Sequence, residues 1–172
     1  LGALVRTVIR TRTRITETRE TRKMQLEEIL TPDRCQCNMD GVSKKRILNN
    51  ISELISKNID ALEAPEVFNA LMEREKLGTT GLGNGIAIPH CRVAPCDKII
   101  GSLISLAEPI DFDSVDGKPV DLLFALIVPE QKTDEHVQTL AALATLFNDE
   151  DFCFTLRHTN DGEDLYNVAV TY

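Results

Sequence analysis

The sequence predicts an α/β fold, a single domain in which a mixed β-sheet is flanked by helices. Three observations carry that reading. Segments with apolar residues at three- and four-residue steps alternate with runs dense in Val, Ile and Leu. One run, Val120 to Val128 (VDLLFALIV), is almost continuously apolar, as a strand covered on both faces must be. A glycine-rich stretch separates a helical first half from a strand-rich centre. Helices that interleave with buried strands pack as layers on a sheet.

The elements follow in order. Between Val42 and Asn58, Ile47, Leu48, Ile51, Leu54 and Ile55 share one face, which predicts an amphipathic helix with Ser43 as N-cap. Its start, Lys44-Lys45-Arg46, opposes the helix dipole, so these cations are expected on a solvated face or against an acidic partner. A second helix begins near Pro65, runs through Val67, Phe68, Leu71 and Met72, and stops at Gly78. Gly78 to Gly85 (GTTGLGNG) reads as a glycine-rich loop, and strand-like Ile86-Ala87-Ile88 leads into Pro89-His90. Strands are expected at Ile99 to Leu106 and Val120 to Val128. A third helix covers about Thr133 to Asn148, with Thr133 as N-cap and Leu140, Leu143, Ala144 and Phe147 on one stripe. Phe152 to Leu156 fits a short strand or a helix turn, and Asp161 to Val170 reads as helical.

Charge divides the chain unevenly. The 172 residues carry 19 Lys+Arg and 27 Asp+Glu, a net of −8. Residues 1–23 hold six Arg, one Lys and two Glu, whereas residues 24–172 hold 12 basic and 25 acidic residues, a net of −13. Composition changes at Met24. Residues 1–23 are therefore expected to be a non-native or disordered extension, with an Arg-rich targeting peptide and a functional basic arm as alternatives. The domain is expected to span 24–172. At 42% hydrophobic and 27% charged residues the chain is of globular type. Its acidity (sequence pI ≈ 4.9) argues against nucleic acid or an anionic membrane as partner. No 18-residue apolar run is present, so membrane insertion is not expected.

The five cysteines, Cys35, Cys37, Cys91, Cys96 and Cys153, form no secreted framework and suit a reducing, cytoplasmic setting. Cys35-x-Cys37 with Cys91-x4-Cys96 lacks the knuckle spacing of a zinc site, so free thiols and no metal are expected.

The candidate chemistry lies in three places. His90 directly follows the Gly/Thr loop, where glycines let backbone N–H groups approach an anion and Thr79 and Thr80 add hydroxyls. The loop residues Thr79, Thr80, Gly81, Gly83 and Gly85 are therefore candidate phosphoryl contacts, with His90 as acceptor. The loop is no Walker motif, since it lacks the G-K-[ST] ending, and a nucleotide-binding role is correspondingly weak. His136 falls in the first turn of the third helix, where the dipole favours a neutral, hydrogen-bonding imidazole. Arg74 closes the second helix, and a guanidinium fork matches phosphate oxygens. The alternatives are a structural histidine at 90, a polar first-turn residue at 136, and a surface ion pair of Arg74 with Glu73 or Glu75. His158 reads as surface decoration.

EREKLGTTGLGNGIAIPH (73–90) followed by PVDLLFALIVPEQKTDEHVQTLAALATLF (119–147) resembles the enzyme IIA family of the phosphoenolpyruvate-dependent phosphotransferase system, mannitol/fructose type. SKKRIL…ISELI (43–55) is similar to the start of its nitrogen-regulatory branch. The resemblance covers roughly 24–170. It implies that His90 is the phosphorylated histidine, His136 the second active-site histidine and Arg74 the phosphate-binding arginine, with no cofactor. It implies an HPr-type phosphocarrier as donor and regulated partners such as a potassium transporter or sensor kinase. A sugar-specific enzyme IIA serving a IIB partner and a transfer-inactive interaction module are the other readings. Cys91 departs from the small residue that usually follows the family histidine, and is expected to be a tolerated side chain rather than a redox element.

Overall fold

The computed structural model describes residues 26–131 and 133–172. The extension of residues 1–23, the boundary at Met24 and the capping side chain of Thr133 lie outside the described residues. After a short helical stretch (26–29) and a 3-10 turn (Pro32–Arg34) come β1 (Cys35–Met39), α1 (Lys44–Asn58), α2 (Ala64–Leu77), β2 (Gly81–Gly83), β3 (Ile86–Ala87) and β4 (His90–Arg92). They are followed by β5 (Ile100–Ile110), β6 (Val120–Val128), α3 (Thr133–Phe147), α4 (Glu150–Arg157) and α5 (Gly162–Thr171).

The mixed sheet has the order β1-β5-β6-β3-β2, with β4 also on β6. β6 is central, antiparallel to β5 and parallel to β3 and β4. Its side chains alternate between two cores. Leu123, Ala125 and Ile127 join α1 and α2, through Ile47, Leu48, Ile51, Ile55, Val67 and Leu71. Leu122, Phe124, Leu126 and Val128 join the other helical layer, through Leu143, Phe147, Phe152, Leu156 and Leu165. This two-sided burial is why the strand reads as an unbroken apolar run. Each fully buried Leu or Ile contributes about 1.5–3 kcal/mol by leaving water.

Sequence and structure agree on the long elements. Ser43 caps α1, its hydroxyl accepting the Arg46 N–H at 3.2 Å. Pro65 stands in the first turn of α2 and Gly78 at its C-cap. Phe152 to Leu156, open between strand and helix, belongs to α4, whose cap Asp149 accepts the Phe152 N–H at 3.1 Å. β5 runs past the expected end at Leu106 to Ile110 through a register irregularity, in a stretch containing Pro109, which has no N–H for the ladder.

The glycine stretch is not an open loop. Gly81–Gly83 and Ile86–Ala87 pair as an antiparallel hairpin closed by Asn84-Gly85, both with positive φ (55° and 81°), as a type I′ turn requires. β3 and β4 then lie along the same edge of β6 without change of register, Ile86 opposite Leu122 and His90 opposite Leu126. They are one strand interrupted at Ile88-Pro89, and His90 is the first residue after the break.

Candidate functional site

Among the described residues β4 has β6 as its only strand neighbour, so its outer edge is open to side chains from the helices. Alternation along β4 sends Cys91 into the α1/α2 core, where it is 6% exposed. His90, of opposite parity, remains half-buried at the edge. Arg74, in the last turn of α2, reaches it from one layer, and His136, in the first turn of α3, from the other.

Both nitrogens of the His90 ring have defined neighbours. Nδ1 lies 2.8 Å from the carbonyl oxygen of Ile88. A carbonyl only accepts, so this nitrogen carries the proton and donates. Arg74 Nε, which only donates, lies 3.3 Å from Nε2. The neutral tautomer with an unprotonated Nε2 satisfies both contacts. Arg74 is itself steadied by donating from Nη1 to the carbonyl of Gly78 at 2.9 Å. Burial, reinforced by the Arg74 charge and opposed by the Ile88 bond and Glu75, holds the His90 pKa below its ordinary 6.5.

The His136 ring meets that of His90 edge-on, with centroids 5.7 Å apart and planes at 68°. His136 is 8% exposed, yet neither ring nitrogen has a hydrogen-bond partner among the described residues. Buried polar nitrogens without a protein partner are costly, so either can bond a polar group that enters beside His90. Burial, then the His90 and Arg92 charges, lowers the His136 pKa and favours the neutral ring. Arg92, exposed on β4 and two residues beyond His90, is a cation at this site that the sequence reading did not single out.

The hairpin residues have other commitments. The Thr79 hydroxyl donates to the Phe112 carbonyl at 2.7 Å and accepts the Gly81 N–H at 3.0 Å. The buried Thr80 hydroxyl donates to Glu75, whose carboxylate also accepts the Thr80 N–H at 3.2 Å. The Asn84 N–H donates to Asp116 at 2.8 Å. Gly81, Gly83 and Gly85 pack against Ser114, Asp116 and the Arg157–Asp121 pair, with no room for a Cβ at Gly81. These glycines thus seat the hairpin on its neighbours, and the ring contacts of His90 come from Arg74, His136 and Ile88.

Arg74 makes neither of the ion pairs, with Glu73 or with Glu75, that are the alternative reading of it. Glu73 pairs with Lys76 at 3.1 Å, and Glu75 with Lys44 at 2.6 Å. Of the three cations expected on a solvated face or against an acidic partner, Lys45 and Arg46 are exposed, whereas Lys44 is half-buried beside Phe112. The thiols weighed as a zinc site are split by the sheet, with Cys35 in one core and Cys91 and Cys96 in the other. Burial pushes the Cys91 thiol up to about 12, so it is not an activated thiolate. His158 is exposed and stacks on Phe154, rings 4.1 Å apart.

A phosphate-sized anion at Nε2 of His90 would therefore meet the Arg74 guanidinium, with the His136 ring set edge-on beside that of His90. The family model for the phosphoenolpyruvate-dependent sugar phosphotransferase system, EIIA 2, matches residues 28–169. The chain belongs to this enzyme IIA family. It is 46% identical over 147 residues to a nitrogen regulatory protein of Pseudomonas aeruginosa, covering 86% of this chain and 96% of that one. Its identity to the nitrogen regulatory protein of Escherichia coli K12 is 41% over 146 residues, 84% of this chain and 89% of that one. The crystal structure of nitrogen regulatory protein IIA-Ntr from Neisseria meningitidis superposes with a TM-score of 0.77 at 38% identity, covering 83% of this chain and 97% of that chain. The mannitol IIA of Escherichia coli shares the fold, at a TM-score of 0.67 and 23% identity over 81% of this chain and 98% of that one. In this enzyme IIA no described helix is long and apolar enough to cross a membrane.

Proposed function

We propose that the chain is a nitrogen-regulatory enzyme IIA that takes a phosphoryl group onto Nε2 of His90 from an HPr-type phosphocarrier, and that its phosphorylation state controls binding to other proteins. The observation that carries this reading is the paired engagement of the His90 ring. Nδ1 is tied to Ile88 and the lone pair of Nε2 faces Arg74. In the transfer, the N–P bond of the donor phosphohistidine breaks and its electron pair returns to the donor ring. The Nε2 lone pair forms the new N–P bond, and the Nδ1 proton stays in place. Proton transfer is not needed, so catalysis rests on alignment and on neutralising the phosphoryl oxygens. Arg74 supplies the charge, and His136 supplies a hydrogen bond from a nitrogen that is otherwise unsatisfied.

The downstream partners belong to the same proposal, with a potassium transporter or a sensor kinase as the kinds expected. Incubation with phosphoenolpyruvate, enzyme I and the phosphocarrier should label wild-type protein and leave His90→Ala unlabelled. Persistent labelling of that variant would overturn the assignment. Pull-down with phosphorylated and unphosphorylated protein should then give different partners.

A further inference from the structure

Glu75 follows Arg74 in the last turn of α2, but its side chain is 3% exposed and faces away from solvent. Three donors converge on that carboxylate: Lys44 Nζ, the Thr80 N–H and the Thr80 hydroxyl. The chain of bonds continues beyond Thr80. Its carbonyl accepts the Ile88 N–H at 3.1 Å, and the Ile88 carbonyl accepts from Nδ1 of His90 at 2.8 Å. An unbroken path therefore runs from Lys44 through Glu75, Thr80 and Ile88 to the ring of His90. The same helical turn holds Arg74 against the other ring nitrogen.

We propose that Glu75 is a positioning residue: through Thr80 and Ile88 it sets the tautomer of His90 and so determines which ring nitrogen receives the phosphoryl group. The proposal rests on the phosphocarrier reading above. The tautomer of a neutral imidazole follows the hydrogen bond made by its other nitrogen. Here that bond is made by the Ile88 carbonyl, whose residue is tied to Thr80 through its N–H, while the next carbonyl, that of Pro89, accepts the Leu126 N–H at 2.9 Å. Ile88 sits at the interruption between β3 and β4, where Pro89 supplies no N–H to the ladder. Thr80 pins residue 88, and Thr80 is held in turn by Glu75. Lys44, at 2.6 Å, offsets the cost of burying the carboxylate. Without this support the Ile88 carbonyl would turn, both tautomers would be populated, and Nε2 would lose its standing as the sole nucleophile.

The test uses the full chain with 15N-labelled histidine. In wild-type protein, NMR should show His90 protonated at Nδ1 alone, and the phosphorylated form should carry phosphorus only on Nε2. Lys44→Met/Glu75→Leu replaces the pair by apolar groups, a change cores tolerate, and removes the acceptor for Thr80. That variant should fold, show mixed tautomers, react at least tenfold more slowly and place phosphorus on both nitrogens. Glu75→Gln keeps an oxygen for Lys44 and the Thr80 N–H, and should restore the single tautomer and most of the rate. Unchanged tautomer, rate and regiochemistry in the folded double variant would overturn the proposal, as would a Glu75→Gln protein as mixed as the double variant. Should the double variant not fold, Thr80→Val decides, mixed tautomers supporting and an unchanged ring overturning. Wild-type protein that took no label on His90 would sink the phosphocarrier reading instead. The tautomer comparison is made on unphosphorylated protein and would still stand.

Discussion

Arg74 Nε lies 3.3 Å from Nε2 of His90, so the guanidinium is already bonded to the ring nitrogen proposed as the phosphoryl acceptor. Occupation of Nε2 would exchange that bond for contacts to the arriving oxygens, with little movement of the guanidinium. A lysine at 74 would keep the charge but lose the fork that bonds Nε2 and the Gly78 carbonyl together. Arg74→Lys should therefore leave the fold intact and slow phosphorylation of His90 roughly 100-fold, about 2.7 kcal/mol of transition-state stabilisation. Single-turnover phosphorylation measures it. A wild-type rate would mean that point charge alone is enough.

His136 should show function and stability pulling apart. Its ring nitrogens are buried and unpartnered among the described residues, a cost of about 1–3 kcal/mol that an apolar side chain would not carry. His136→Leu should melt at the same temperature as wild type or higher, while phosphoryl transfer slows about 10- to 1000-fold with label still on His90. Thermal melts and the labelling assay read the two sides separately. Complete loss of label would instead make His136 the acceptor.

The elements legible in the sequence were those with a pattern long enough to exceed local noise. α1 and α2 announced themselves by apolar stripes and end residues, and β6 by its continuous run. β1 (CQCNM) is five residues long and mixed in polarity, too short for a periodic pattern to stand out, and among the described strands it pairs with β5 alone. In the glycine stretch, Asn84-Gly85 is the signal of a two-residue hairpin turn, yet the glycines suggested an anion cradle. Site residues divide in a similar way. His90, Arg74 and His136 were recognisable by chemistry and do come together. The commitments of Thr79 to Phe112, and of Lys44 to Glu75, join positions about 30 residues apart and depend on how the layers close.

Two lowered histidine pKa values impose a pH dependence with a definite sign. His90 and His136 are both held below 6.5 mainly by burial, with Arg74 adding for His90 and the His90 and Arg92 charges adding for His136. In the unfolded chain they protonate near 6.5, so the unfolded state binds more protons as pH falls through that value. Stability from these groups is complete above 6.5, declines below it, and stops declining once pH passes the lower folded values. Denaturant midpoints should fall between pH 7 and pH 5.5, and fall less in His136→Leu. If His90 is the acceptor, as proposed, phosphorylation should hold its neutral-pH rate below pH 6.5, because Nε2 of His90 stays unprotonated there. A midpoint that rises with acidification would contradict the assigned direction.

The hairpin turn offers a test of how closely the strand leading to His90 is built. Gly85 has a φ of +81°, and a Cβ there would stand 2.7 Å from Arg157 Nη2 and 2.8 Å from Asp121 Oδ1. Arg157 holds that corner by donating to Asp121 and to the Asn84 carbonyl at 2.9 Å. Gly85→Ala meets both a backbone penalty and a displaced ion pair, so it should destabilise the domain by about 1–3 kcal/mol. Because β3 and β4 share one register on β6, the disturbance should also reach His90. Gly117, with φ +71° and open space around it, is the matched control: Gly117→Ala carries backbone strain without steric conflict. Denaturant unfolding should therefore rank Gly85→Ala below Gly117→Ala. Only the Gly85 substitution should slow phosphorylation of His90, and equal effects of the two would show that the corner does not transmit to the site.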